Sequence, residues 1–104
     1  MYATHRRYEC IDQSRIEELT QKVNDSLIPR LSKLPGFKGY FLFEAGDGVV
    51  KSTSLFDTSD QAEHSTQVAA EWTQEEKLEK LIPNAPKVMT RKVLAHETKV
   101  PALV

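Results

Sequence analysis

The sequence predicts an α+β fold with elements in the order β-α-β-β-α-β and an antiparallel sheet carrying its helices on one face. Three observations predict it. Residues 34–56, LPGFKGYFLFEAGDGVVKSTSLF, read as a helix end, a strand, a tight turn and a second strand. Ile16, Leu19, Val23, Leu27, Leu31 and Leu34 recur at spacings of three and four, one face of an amphipathic helix. A second helical face, Ala62, Ser65, Ala69 and Trp72, follows a dense cluster of capping residues, Asp57-Thr58-Ser59-Asp60.

Each element has its own justification. Tyr2 to Cys10 alternates around β-compatible residues and reads as the first strand. Asp12 or Ser14 can cap the helix that follows, with Glu17 as the capping-box partner of Ser14. Pro29 falls inside the apolar pattern, which continues beyond it, so a single bent helix is expected. Pro35-Gly36 stops that helix, since proline lacks an amide donor and glycine accepts a left-handed backbone. Phe37 to Phe43 supplies the bulky residues that strands favour, Ala45-Gly46-Asp47-Gly48 the turn, and Val49 to Phe56 the returning strand. Thr58 with Gln61 fits a capping box for the second helix. Its small residues followed by one Trp imply close packing on the sheet. Thr73 to Ile82 continues helically or as a separate short helix, and Pro83-Asn84-Ala85-Pro86 ends it. Lys87 to Glu97 reads as the fourth strand. This order is the ferredoxin-like arrangement, a single domain over 1–98 with a C-terminal tail over 99–104.

The hairpin also implies a partner. Gly39, Phe41 and Phe43 share one face of their strand, and Tyr40 and Leu42 share the other. A half-solvated strand shows cleaner alternation than this. Helices of the same chain can cover one face; a second copy of the chain is the economical cover for the other. The sequence leaves open which parity faces which side.

The totals exclude several classes. Fourteen basic against fifteen acidic residues, a formal net charge of -1, give no electrostatic case for binding nucleic acid or an anionic membrane. One cysteine, Cys10, cannot form an internal disulfide, which fits a reducing compartment. No apolar run approaches the roughly 20 residues that span a bilayer, and Met1 to Arg7 lacks the apolar core of a signal peptide. A cytoplasmic location is the expectation.

The element order, with Leu34-Pro35-Gly36-Phe37-Lys38-Gly39-Tyr40, Ala45-Gly46-Asp47-Gly48-Val49-Val50, Ser54-Leu55-Phe56, Ala70-Glu71-Trp72 and Pro83-Asn84-Ala85-Pro86, resembles the dimeric α/β-barrel superfamily. Within it the chain resembles the antibiotic biosynthesis monooxygenase-like proteins, over about residues 2–97. These matches are mainly turns and core. The resemblance implies a homodimer with two sheets packed face to face and a pocket between sheet and helices in each subunit. Some relatives oxidise phenols or quinols with molecular oxygen and no cofactor; others bind and degrade haem.

Candidate site residues follow. His5, mid-strand, can serve as a general base if it points into a pocket, or can sit in an interface. Tyr40 and Trp72 can line a pocket for an aromatic ligand, or simply fill the core. Ser52 and Ser54 share a strand face and can hydrogen-bond a ligand or satisfy the backbone. His64 and His96 read as solvated, and no His or Cys spacing indicates a metal site. Arg6-Arg7 is too small a basic cluster for nucleic acid. The expected function is a dimeric module binding a small apolar or aromatic ligand between sheet and helices. The alternative is a cofactor-independent monooxygenase acting on phenolic or polyketide-like substrates. Haem degradation ranks below both, because the first strand has no Asn and His64 precedes Trp72.

Overall fold

The computed structural model describes residues 1–96. Four strands, β1 (Tyr2–Tyr8), β2 (Phe37–Gly46), β3 (Val49–Phe56) and β4 (Lys87–Lys92), form one antiparallel sheet in the order β2-β3-β1-β4. The helices are α1 (Ile16–Lys22), α2 (Ile28–Ser32) and α3 (Ser59–Glu75). Together they give the predicted α+β, ferredoxin-like architecture. The expected tail lies outside the described residues.

The first helical pattern is continuous, as the spacing predicts, but it is built in three pieces. A π turn, Val23–Leu27, joins α1 to α2, and the Ile28 amide reaches back to the Val23 carbonyl. The wider turn absorbs the bend that Pro29, in the first turn of α2, imposes. Leu19, Val23, Leu27 and Leu31 remain on one stripe and are buried against the sheet. The chain leaves α2 through Gly36, at φ 78, where the Gln61 side chain occupies the space a Cβ would need. Only glycine fits both the backbone angle and that close approach.

The β2–β3 connection is a two-residue turn at Asp47-Gly48, with φ 53 and 76, the left-handed pair that matches strand twist. The capping box at Thr58 and Gln61 forms as expected, with both reciprocal hydrogen bonds made. α3 ends at Glu75, and residues 76–82 form turns, neither a continuation of the helix to Ile82 nor a separate short helix. Leu78 N–H bonds the Thr73 carbonyl and Lys77 N–H the Gln74 carbonyl, a Schellman closure with Lys77 at φ 55.

Two strands are shorter than predicted. β1 stops at Tyr8 because Cys10 takes φ 61 and turns the chain. β4 stops at Lys92 because Tyr2, its pairing partner there, begins β1; one further bond, Val93 N–H to the Met1 carbonyl, uses up the neighbour.

The register settles the parity. Thr4, Arg6 and Tyr8, Tyr40 and Leu42, and Val50, Ser52, Ser54 and Phe56 face the helices. His5 and Arg7, Phe41 and Phe43, Lys51 and Thr53, and Met89 face the opposite, open side.

Candidate functional site

The middle of the helix-facing side is polar. Arg6, 1% exposed, lies between β3 and α3. Its Nη1 donates to Ser54 Oγ at 2.8 Å, and its Nη2 to Ser65 Oγ at 2.7 Å and Thr66 Oγ1 at 3.0 Å; its Nε donates to Thr66 Oγ1 at 3.2 Å. Four of the five guanidinium N–H groups are thereby used, all on neutral hydroxyls. Among the described residues no carboxylate forms an ion pair with it. Small residues at Ala62, Ser65 and Ala69 bring α3 close enough to the sheet for Ser65 and Thr66 to reach the guanidinium.

Two phenols border this charge. Burial pushes the Tyr8 hydroxyl above its ordinary 10.0, although Arg6 and Ser52 pull it partly back. Burial, reinforced by neighbouring Tyr8, pushes Tyr40 up to about 12. Both remain neutral near pH 7, so neither is a counter-ion for Arg6. Desolvation lowers Arg6 from 12.5, yet a guanidinium stays charged under these conditions. Ser52 Oγ is buried without a formed hydrogen bond, while lying near enough to both phenols to moderate their acidity.

Three spaces adjoin this centre, and one of them, about 530 Å³, lies between the first helical stripe and β2, lined by Ile16, Val23, Ile28, Tyr40, Phe43 and Val50. Tyr40, Trp72, Tyr8 and Leu42 border a cavity of about 20 Å³, room for about one water. The structure thus brings Tyr40 and Trp72 together, but around a space no organic ligand can enter. Trp72, 2% exposed, is a core residue whose Nε1 donates to Ser26 Oγ on the π turn at 2.9 Å. On the other side of Tyr8, a groove of about 460 Å³ runs between α3, residues 83–86 and β4. Arg6, Tyr8 and Thr66 line it together with apolar Ala69, Ile82 and Val88. Pro83 and Pro86 hold its outer wall without presenting amide donors.

The remaining candidates lie elsewhere. His5 is on the open face, its Nδ1 3.0 Å from Thr53 Oγ1, with the sheet between it and Tyr40 and Trp72. A base at His5 and an aromatic platform at Tyr40 and Trp72 therefore do not share a pocket within one subunit. His5 instead borders an open-face hollow of about 480 Å³ with Phe43, Lys51 and Met89. Ser54 is committed to Arg6, and Ser52 is the unpartnered hydroxyl. His64 and His96 are exposed. Among the described residues no group of three or more His, Cys, Asp or Glu side chains is arranged to hold a metal. No helix among them is long and apolar enough to cross a membrane.

Sequence reasoning missed Arg6. It was legible in one respect: Arg6 shares strand parity with Thr4 and Tyr8, and Ser52 and Ser54 share parity with Val50 and Phe56. Hydroxyls alternating with core residues on two neighbouring strands signal a buried polar group to be satisfied.

The same architecture recurs in solved structures. A protein of unknown function from Nitrosomonas europaea superimposes with a TM-score of 0.73 at 16% identity, covering 95% of this chain and 94% of that one. A monooxygenase of the ActVA-Orf6 gene of Streptomyces coelicolor, solved in complex with the ligand Nanaomycin D, gives 0.70 at 12% identity, covering 95% and 92%. The fold is that of the antibiotic biosynthesis monooxygenase-like proteins. A dimeric ferredoxin-like protein from an uncultured marine organism also shares it, with a TM-score of 0.62 at 13% identity over 95% of this chain and all 100% of that one. No protein-family model matches the chain, and no curated protein matches it in sequence. The groove at α3 and the open-face hollow lie on opposite sides of the sheet, and a third hollow lies beside Tyr40 along β2.

Proposed function

We propose that the protein is a dimeric binding module that takes a small aromatic ligand in the groove between α3, residues 83–86 and β4. The observation that carries this reading is the groove itself: about 460 Å³, with apolar Ala69, Ile82 and Val88 in its lining beside the polar groups of Arg6, Tyr8, Thr66 and Glu79. Ligand sites have this composition, a mostly apolar concavity with few convergent polar groups. The groove replaces the Tyr40–Trp72 space, which is too small.

The dimeric part rests on the open face. Phe41, Phe43 and Met89 are 56%, 48% and 49% exposed there. Large apolar side chains gathered on one sheet face mark an association surface, and a second copy offers the same surface in return. The fold neighbour described as dimeric agrees with this.

The test is an amide NMR titration with 2-naphthol, a neutral aromatic probe at pH 7. Shifts are expected at Thr66, Ala70, Ala85 and Val88. Shifts confined to His5, Lys51 and Met89 would move ligand binding to the open face and end the groove reading. A second reading, cofactor-independent oxygenation of a phenolic substrate, is favoured by the Streptomyces neighbour. In that reading the groove needs its own base, and Glu79 is its one lining carboxylate. Oxygen consumption with a panel of quinols and anthrones, lost in Glu79→Gln, is the outcome expected of it. Oxygen uptake no faster than in buffer excludes the reaction for those substrates.

A further inference from the structure

Arg6 is a cation buried without an anion. Taking a charge out of water is costly unless it is paired, and structures ordinarily supply the pair. Here the hydroxyls of Ser54, Ser65 and Thr66 solvate the guanidinium but do not neutralise it. The two nearest acids, Tyr8 and Tyr40, are held in their neutral forms by burial. The groove's one lining carboxylate, Glu79, is exposed and forms no ion pair with Arg6, so the polar centre meets the groove without a paired counter-charge.

We infer that the groove ligand is an anion, a small aromatic carboxylate, whose charge is received at Arg6 through Thr66 and Tyr8. This rests on the groove being the ligand site, and it adds the ligand's chemical class.

The hydrogen-bond pattern supports this assignment. Thr66 Oγ1 accepts from both Nε and Nη2 of Arg6, so its own proton is left to donate, and Thr66 lines the groove. A hydroxyl that accepts from a cation becomes a stronger donor. Tyr8 lines the groove as well, with a hydroxyl kept protonated and therefore able to donate. One Nη1 hydrogen of Arg6 has no partner among the described residues, and Ser52 Oγ, directly across the ladder from Arg6, has none either. Two uncommitted hydroxyl donors backed by a buried cation make a receptor for negative charge. The guanidinium does not need to leave its hydroxyl shell, because Coulomb attraction acts through that shell at low local dielectric. The apolar walls at Ala69, Ile82 and Val88 then take the ring of the ligand.

The experiment compares two probes of nearly one shape, 2-naphthoate and methyl 2-naphthoate, by calorimetry and amide NMR at pH 7. The carboxylate is expected to bind at least about tenfold more tightly than the ester. In Arg6→Met that preference should fall to about one. Equal binding of the two probes by the native protein overturns the anion assignment and leaves groove binding standing. Shifts from neither probe overturn groove binding itself, and the assignment falls with it. A carboxylate preference that survives in Arg6→Met overturns the role of Arg6. If Arg6→Met does not fold, Thr66→Val takes its place. It keeps the cation and removes the relaying hydroxyl, so a severalfold loss of carboxylate preference supports the assignment and an unchanged preference overturns it.

Discussion

Each face of this sheet departs from ordinary expectation at its centre. The helix-facing side, otherwise apolar, holds a guanidinium and four hydroxyls at full burial and two half-buried phenols. The open side, which should be polar, displays Phe41, Phe43 and Met89 to solvent. A charge in the core and hydrocarbon on the surface each cost stability in an isolated subunit. The two costs have different remedies. On the proposed reading an anion entering the groove relieves the buried charge, and a second subunit relieves the exposed hydrocarbon. The proposed ligand surface and the proposed assembly surface thus lie on opposite sides of one sheet.

Substituting one large aromatic on each side is the strongest way to break that comparison. Phe56, fully buried, packs edge-to-face on Phe37 with ring centroids 5.7 Å apart. Phe56→Ala should cost about 3–5 kcal/mol in denaturant unfolding, independent of protein concentration. Phe41→Ala, on the open side, should lower stability only where the protein is assembled, so its effect should shrink on dilution. A concentration-independent loss at Phe41 as large as that at Phe56 would remove the distinction.

Alkaline titration probes the helix-facing side alone. Tyr40 stands at 10.0 when unfolded and about 12 when folded. The folded state holds its proton longer, so its stability contribution is intact below pH 10 and declines as pH rises from about 10 to about 12. The gap corresponds to about 3 kcal/mol at most, since Tyr40 keeps some exposure. Tyr40→Phe should flatten the fall of the denaturation midpoint over that interval. An equally steep fall in the variant would place the alkaline sensitivity elsewhere.

Assembly is tested by Phe43→Asp, which puts a carboxylate into the open face. Light scattering should read about twice the 11.8 kDa chain mass for the native protein at micromolar concentration and one chain mass for the variant. A native monomer would dismiss the assembly surface. The smallest effect is at the end of the helix that roofs the polar side. Lys77 occupies a left-handed position, and Lys77→Gly should raise stability by about 0.5–1 kcal/mol, read as a higher thermal midpoint. No change or a decrease would show that the Lys77 side chain contributes contacts that offset its strain.

Much of the architecture was legible from particular residues. The spacing from Ile16 to Leu34 gave the first helical stripe, including its passage through Pro29, and Thr58 with Gln61 gave the start of α3. Asp47-Gly48 gave the hairpin turn. The candidate site was legible only in part. Ser52, Ser54, Tyr40 and Trp72 do lie on the helix-facing side, but His5 lies across the sheet from them. Parity within one strand is visible in its own sequence, whereas the side of the sheet it faces depends on register with strands far along the chain. Arg6 was legible only as half of a basic pair too small for nucleic acid, because its partners stand 48 to 60 residues away.

The sequence by itself determined the order of the elements, their turns and caps, and the presence of apolar residues on both parities of β2, because those are set by local backbone preference and periodicity. Tertiary structure decided the rest: that Tyr40 faces the helices and Phe41 the open side, that the Tyr40–Trp72 space closes to about 20 Å³, and that Arg6 is buried at the floor of a groove without a counter-charge. Those outcomes depend on how close α3 packs to the sheet and which distant hydroxyls meet one guanidinium, and only the folded chain brings those groups together.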